Sequence, residues 1–600
     1  MLALEPAAQI FSSTGANPGI PEIGRFAVGE LDLEAWISQA VFYEQFDFTK
    51  IFGRTFDVLD RIDDLFRLRI WFTDALVDEL IQRGFLQSSP PSGFAVKRKL
   101  HIAYPADPKQ PAKLAGSGRL PLAVLLHGNH GYYDLINNRP VPNHRGYIYL
   151  QQELASWGIV SVSVDTNVAN AFGQQNEMRA EMTLGALDTI RAMDADTTSP
   201  FYQRIDFQNV GMMGHSRGGD AVVRAAILNA ARPAATRYAI KAICSVAPTD
   251  ITGSTTLPNR LDSSMASFYS VIYGALDGDV SGAKIDVFDS FGTGFRHYDR
   301  ASTDKSMVFF EACNHNRFND VWPDDDPNTL AADLKRPVFR QDHQNLLKEY
   351  VGGLFRWQLL DAQTPKDLFD GTAANSVGAK AAIQWSFGQK IDHLDELENA
   401  TMPEIGSRAL SGGASIGDMA KVTIGTIKVR EYTNHQTGVL IVKPDPTAIR
   451  YKLDIPPAYQ NWNNYDLFTF RVCADADVTS PATIADPAKS PLPDFTLVFK
   501  DSTTGIAQVT AASLRTPNRP RLPVFHTAYW KTEHRSALDP NIIITDQGIE
   551  NCSVIRLETL AVDLAGLAGV DRAHIASVAV NVPPAFTKYQ FFDSFQLIKR

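Results

Sequence analysis

Between residues 94 and 360, short apolar runs alternate with longer stretches of helical periodicity. The runs are Leu120–Leu126, Ile159–Val164, Val210–Met213, Ala239–Val246, Ser267–Tyr273 and Ser306–Glu311, and Phe94–Tyr104 alternates as a strand. Near-continuous apolar strands are what a parallel sheet needs when both its faces are covered. Helical patterns fall between them at Tyr147–Trp157, Asn176–Met193, after residue 216 to about Ala231, and Gln341–Leu360. This alternation predicts an α/β unit over residues 93–365, with a doubly wound, mostly parallel sheet.

The flanks read differently. Phe56, Leu59, Ile62 and Leu65 recur at three-residue spacing, and Leu76, Leu80 and Ile81 follow. An N-terminal helical segment is expected over 1–92. Gly412-Gly413 and small residues near them suggest a linker region over 366–420. Beyond it, strands are predicted at Val439–Val442, Leu467–Val472, Phe495–Phe499, Ile542–Ile544, Ser553–Leu557, Ala576–Val582 and Phe592–Ile598. Strands and turns with little helix predict an all-β sandwich domain over 421–600.

Composition narrows the function classes. The chain has 600 residues, 44% hydrophobic and 21% charged, as in a globular protein. A net charge of −10 argues against nucleic acid as the main partner. No apolar run approaches 18 residues, so no membrane span is expected. Met1–Pro6 lacks the basic and apolar regions of a signal peptide, so a soluble protein is expected, cytoplasmic or in mature secreted form. The four cysteines, Cys244, Cys313, Cys473 and Cys552, have no metal-ligand spacing, and neither metal nor cofactor is expected.

The chemistry centres on residues 209–220. The run Val210–Met213 leads into Gly214-His215-Ser216-Arg217-Gly218-Gly219, and helix formers follow. Strand, sharp turn and helix around G-x-S-x-G describe a nucleophile elbow, with Ser216 exposed at the turn. A second match, Gly413-Ala414-Ser415-Ile416-Gly417, has no apolar strand before it and reads as loop.

A serine nucleophile needs a base, an acid to orient that base, and donors for the oxyanion. Asp277 follows the Ser267–Tyr273 strand in Gly274-Ala275-Leu276-Asp277-Gly278-Asp279-Val280, and is favoured over its rival Asp279. His315, in Ala312-Cys313-Asn314-His315-Asn316, follows the last strand and is the expected base. His215 adjoins the serine, His127 and His130 precede it, and His343 lies inside a predicted helix. For the oxyanion, the backbone N–H groups of Arg217 and Asn129 are expected; Asn129 lies in His127-Gly128-Asn129-His130-Gly131, straight after a buried strand.

Residues 94–360 resemble the α/β-hydrolase superfamily. His127-Gly128-Asn129 is similar to the oxyanion loop of the dienelactone hydrolase, chlorophyllase and cutinase-like polyester hydrolase group. Gly214–Gly219 matches the elbow of chlorophyllases and of large bacterial hydrolases, in which Asp-Gly-Asp-Val and Asn-His-Asn segments recur, as at Asp277–Val280 and Asn314–Asn316. The resemblance implies Ser216 as nucleophile, Asp277 as acid and His315 as base. The added N-terminal and C-terminal parts depart from single-domain chlorophyllases and cutinases, so the resemblance does not carry pigment or cutin over as substrate.

Other residues carry weaker expectations. His130, Tyr132 and Asn167 are candidate substrate contacts. Trp322-Pro323-Asp324-Asp325-Asp326 holds three carboxylates of the kind calcium uses, although a solvated acidic loop is the simpler reading. The C-terminal part resembles a jelly-roll module of galactose-binding type; Trp462, Tyr465, Tyr529 and Trp530 could form a flat platform, although core or edge packing is the expectation for most of them, and Cys473 and Cys552 are a candidate pair. Three functions compete: an ester hydrolase acting on a bulky or polymeric substrate such as polyester or acylated polysaccharide, an amidase or peptidase with the same triad, and a binding protein on an inactive scaffold.

Overall fold

The computed structural model describes residues 26–37, 78–88, 94–171, 176–250, 259–277, 279–280, 294–324, 339–395, 415–417, 422–429, 432–442, 449–474, 492–514, 524–527, 532–535, 543–546, 552–555, 557–586 and 589–600. Among them a mixed sheet is built from nine strands: β1 (Ala27–Ile37), β2 (Phe94–Asp107), β3 (Leu120–Leu126), β4 (Val160–Val164), β5 (Ile205–His215), β6 (Ile240–Val246), β7 (Phe268–Gly274), β8 (Asp304–Phe310) and β9 (Ala381–Ser386). Their hydrogen-bonded order is β1-β2-β4-β3-β5-β6-β7-β8-β9. The six central strands are mutually parallel. β1, β2 and β9 pair antiparallel at the two edges. Two short strands, Leu86–Ser88 and Gln110–Leu114, pair with β2.

Helices α1 (Ile148–Ser156), α2 (Asn167–Ala171), α3 (Asn176–Ala195), α4 (Arg217–Ala231) and α5 (Gly294–Arg300) fall between parallel strands, and α6 (Arg340–Leu347) and α7 (Gly353–Leu360) lead from β8 to the antiparallel β9. A π-helical turn, Lys348–Gly352, joins α6 to α7 within the single helix expected from the sequence. The two-residue period of a strand decides which core each side chain enters. Leu122, Val124 and Leu126 of β3 pack with Leu184, Leu187 and Val222 of α3 and α4. Ala123 and Leu125 pack on the other face with Leu150, Leu154 and Phe355 of α1 and α7. Helices on both faces are the reason the central strands read as unbroken apolar runs.

Past β9 the strands are antiparallel. One sheet runs Val422–Val429, Tyr432–Val442, Gln590–Lys599, Leu467–Ala474, Glu558–Asp563, with Lys390–Asp395 also paired to Gln590–Lys599. A second runs Ser415–Gly417, Ile449–Asp454, Ile575–Val582, Thr496–Asp501, Ile506–Thr510. Phe468, Phe470 and Phe595 from the first share one apolar core with Leu497, Phe499 and Val580 from the second.

The flanking expectations need correction. In the N-terminal segment expected to be helical, residues 27–37 form strand β1, held along β2 through eleven paired positions; residues 78–82, with Leu80 and Ile81, are helical as expected, and residues 38–77 lie outside the described residues. The region expected as linker contains β9, which closes the main sheet beside β8, and Lys390–Asp395. Six buried residues in β9, Ala381–Ser386, mark it as core rather than connection. Ser415–Gly417, expected as loop, is a short strand paired with Tyr451–Leu453.

The two parts meet through a buried ionic cluster. Arg471 donates from Nε to Asp593 Oδ1 (2.7 Å), and from Nη1 to Asp299 Oδ1 of α5 and Gln384 Oε1 of β9 (both 2.8 Å). Flanking carboxylates hold the Arg471 guanidinium above its ordinary range against the opposing effect of burial.

Candidate active site

β5 ends at His215 and α4 begins at Arg217, so the chain reverses in one residue. Ser216 takes φ 57° and ψ −126°, a conformation costing roughly 1–3 kcal/mol in a non-glycine residue. Hydrogen bonds hold it there: its N–H donates to Val246 O (2.8 Å), and its carbonyl accepts from Gly219 N–H (2.8 Å). Close packing requires the neighbouring glycines. A Cβ on Gly218 would lie 2.6 Å from Leu126 O and 2.8 Å from His127 O. On Gly128, in the facing loop, it would lie 2.8 Å from His215 O and 3.0 Å from Ser216 Oγ, with Ser216 Cβ nearer still. The loop after β3 is therefore pressed against the serine.

The loops after β7 and β8 bring Asp277 and His315 together. Asp277 Oδ2 lies 2.8 Å from His315 Nδ1, and both residues are buried. Asp277 Oδ1 accepts from the N–H groups of Asp279 (3.0 Å) and Val280 (2.7 Å), which fixes the carboxylate plane. Burial pushes the Asp277 carboxyl upward, and His315 opposes that shift. Asp279, half exposed, lies 3.4 Å from His315 Nε2, the opposite ring nitrogen. An acid that orients a base must sit on Nδ1 and leave Nε2 for the nucleophile. Asp277 has that position and Asp279 does not.

Behind the loop, His127 Nε2 accepts from the Thr166 N–H at 2.9 Å. The proton is thereby assigned to Nδ1, which donates to Gly128 O at 2.8 Å. Burial pushes the His127 pKa down, consistent with a neutral ring. Asn129 Oδ1 and His130 Nδ1 are buried without hydrogen-bond partners among the described residues.

Residues 145–264 match the family model of PETase, PET hydrolase-like. No curated protein matches the chain. The PET hydrolase-like segment takes in Ser216, the elbow and Arg217, but starts after Asn129 and stops before Asp277 and His315. Of these, Asp277 and His315 are brought together by the fold of this chain.

One residue at the site carried no catalytic signal in the sequence. Trp322, buried, stacks on His130 (ring centroids 5.1 Å, interplanar 15°) and on His315 (6.1 Å, 10°), and lies 4.7 Å from the His215 ring. Its Nε1 donates to Asn143 Oδ1 (2.8 Å). It forms the wall against which the histidines pack. Read from sequence, it was only the first residue of an acidic loop. Of that loop, Asp324 pairs with Arg340, and Asp325 and Asp326 lie outside the described residues. Among the described residues no three His, Cys, Asp or Glu side chains group as a metal site would.

The other candidates separate. Tyr132 contacts Glu79 (3.4 Å) and packs edge-on against Phe85, so the 78–88 segment covers this side of the loop. Asn167 is buried, and its amide is committed to Asn143 (2.7 Å) and Val141 O (2.6 Å), clamping the loop behind the site rather than facing a substrate. His215 is turned to Tyr147 Oη at 2.9 Å. In the C-terminal part, Trp462 is fully buried and Tyr465 nearly so, which makes them core rather than a platform. Tyr529, Trp530 and the Cys552 side chain lie outside the described residues.

Proposed function

We propose that the chain is a serine ester hydrolase of the α/β-hydrolase type, acting on a bulky or polymeric carboxylic ester of polyester kind. One observation carries the reading: a single buried site holds Ser216 at positive φ, Gly128 pressed against its hydroxyl, and His315 bonded through Nδ1 to Asp277 at 2.8 Å. The PET hydrolase-like match over the elbow supports the ester and polyester part of it. The catalytic unit in this reading runs from residue 93 through β9, and the antiparallel sheets beyond form a β-sandwich of jelly-roll kind.

The mechanism follows from the positions. Ser216 Oγ attacks the ester carbonyl while His315 Nε2 takes its proton. The oxyanion is held by the backbone N–H groups of Arg217, at the start of α4, and Asn129. His315 returns the proton to the leaving alcohol, and water then hydrolyses the acyl-enzyme by the same route. Asp277 keeps the imidazole in the required tautomer and supports its charged form. His130 and Tyr132 line the approach.

The test combines labelling with a substrate panel. Ser216 should be labelled by a fluorophosphonate, and Ser216→Ala should lower turnover by roughly 10³-fold or more. The panel sets soluble p-nitrophenyl esters and polyester film against acylated polysaccharide and anilides. Wild-type turnover in Ser216→Ala would refute the nucleophile. Anilides cleaved faster than esters would make the protein an amidase.

A further inference from the structure

Arg179 of α3 is fully buried directly behind the loop that presses on Ser216. Its Nη1 donates to Thr166 Oγ1 (2.8 Å) and, more distantly, to Gly128 O (3.5 Å); its Nη2 donates to Asn170 Oδ1. All three acceptors are neutral oxygens, and Nε has no hydrogen-bond partner among the described residues. The charge that bears on it most is the like charge of Arg217. Buried arginines are ordinarily matched by carboxylates, because an uncompensated buried ion costs several kcal/mol, roughly, even after relaxation.

The surrounding hydrogen bonds form a closed relay. Arg179 donates to Thr166 Oγ1, and Thr166 donates through its N–H to His127 Nε2. His127 donates through Nδ1 to Gly128 O, and Arg179 reaches the same oxygen. Both branches, through His127 and direct from Arg179, end on one carbonyl. That carbonyl belongs to the peptide whose N–H is Asn129's. A trans peptide is planar, with C=O and N–H pointing in opposite directions. Holding the oxygen from behind therefore aims the N–H at the opposite side, and polarising the C=O strengthens the N–H as a donor.

We propose that Arg179 is a positioning residue for the Ser216 reaction: with His127 it grips the Gly128 carbonyl so that the Asn129 N–H meets the oxyanion, and its buried positive charge becomes favourable as negative charge develops there. This rests on the assignment of Ser216 as nucleophile and Asn129 as oxyanion donor. Such a group stabilises the transition state more than the ground state, so its loss should appear in kcat and not in KM.

The experiment measures kcat and KM on a soluble p-nitrophenyl ester, together with the affinity of an aryl boronic acid, whose adduct with serine is tetrahedral and anionic. Arg179→Gln should lower kcat by about 10- to 100-fold with KM within about twofold, and weaken the boronic acid by the same factor as kcat/KM. Arg179→Lys, which keeps the charge without the fork, should fall between the two. A merely structural role would not make kcat and boronic acid affinity fall in step at constant KM. Wild-type kcat in Arg179→Gln, or a fall in kcat with unchanged boronic acid affinity, overturns the proposal. If Arg179→Gln does not fold, Arg179→Lys decides: a lower kcat at constant KM supports it, and wild-type kcat overturns it. Failure of the wild type to be labelled at Ser216 refutes the nucleophile assignment instead.

Discussion

His315 Nδ1 and Asp277 Oδ2 meet at 2.8 Å, both side chains buried, while Asp279 lies near Nε2 with its carboxylate half exposed. The two acids therefore predict different phenotypes. Asp277→Asn removes the acceptor that fixes the imidazole tautomer and should lower kcat by about 10⁴-fold. Asp279→Asn should keep kcat within about tenfold of wild type, because it stands on the nucleophile's side of the ring and orients nothing. Steady-state kinetics on a soluble ester separate them. The opposite ranking would exchange their roles.

Gly128 gives a steric prediction. A methyl group there would overlap Ser216 Cβ and crowd Ser216 Oγ at 3.0 Å and His215 O at 2.8 Å. Ser216 Cβ and His215 O cannot withdraw, since the Ser216 backbone is pinned by Val246 O and Gly219 N–H. Gly128→Ala should lower kcat/KM by about 100-fold or more, comparable to losing an oxyanion donor. The far-ultraviolet circular dichroism should stay as in wild type. Unimpaired esterase activity would show that the loop stands away from the serine in solution.

Much of this was legible in the sequence, and the failures have identifiable causes. The elbow was legible because its constraints are local: Gly214, Ser216 and Gly218 lie within five residues. Chain order, after strands whose apolar runs mark them as parallel and buried, pointed to Asp277 and His315, and the fold brings these two side chains into contact. Arg179 was invisible because it occupies an ordinary position in a helical pattern, and the carbonyl it serves is 51 residues away in sequence. β9 was missed because Ala381-Ala382-Ile383-Gln384-Trp385-Ser386 is short and carries polar side chains, Gln384 and Ser386, whose oxygens bond to distant partners in the antiparallel part. Trp462, for which core packing is the commoner expectation, is buried against Phe468 and Phe499.

The Arg471 cluster should control how the two parts hold together. Replacing Arg471 with Met leaves the carboxylates of Asp593 and Asp299 buried with their shared cation gone. Breaking a buried ion pair from one side costs about 3–5 kcal/mol. Arg471→Met should lower the urea midpoint accordingly, and Asp299→Asn, which leaves the Asp593 pair in place, should cost less. Equal and small effects in both would mean that the cluster contributes little to stability.

Asp304, at the start of β8, predicts a pH dependence of stability. Burial raises its pKa from the ordinary 3.8 to about 6, against the opposing effects of a Gly388 N–H and Lys366. The sign follows from linkage: between those two values the folded state holds a proton that the unfolded state has released, so stability falls as pH rises through the window. Above it the half-buried carboxylate is charged and its full penalty is present; below it the side chain is neutral in both states and the penalty vanishes. Asp304→Asn keeps an acceptor for Gly388 and removes the charge. Its Tm should therefore exceed that of wild type at about pH 7.5 and converge with it near about pH 4. Thermal unfolding of both proteins across that range checks the argument; a Tm difference independent of pH would mean that Asp304 does not titrate in this window.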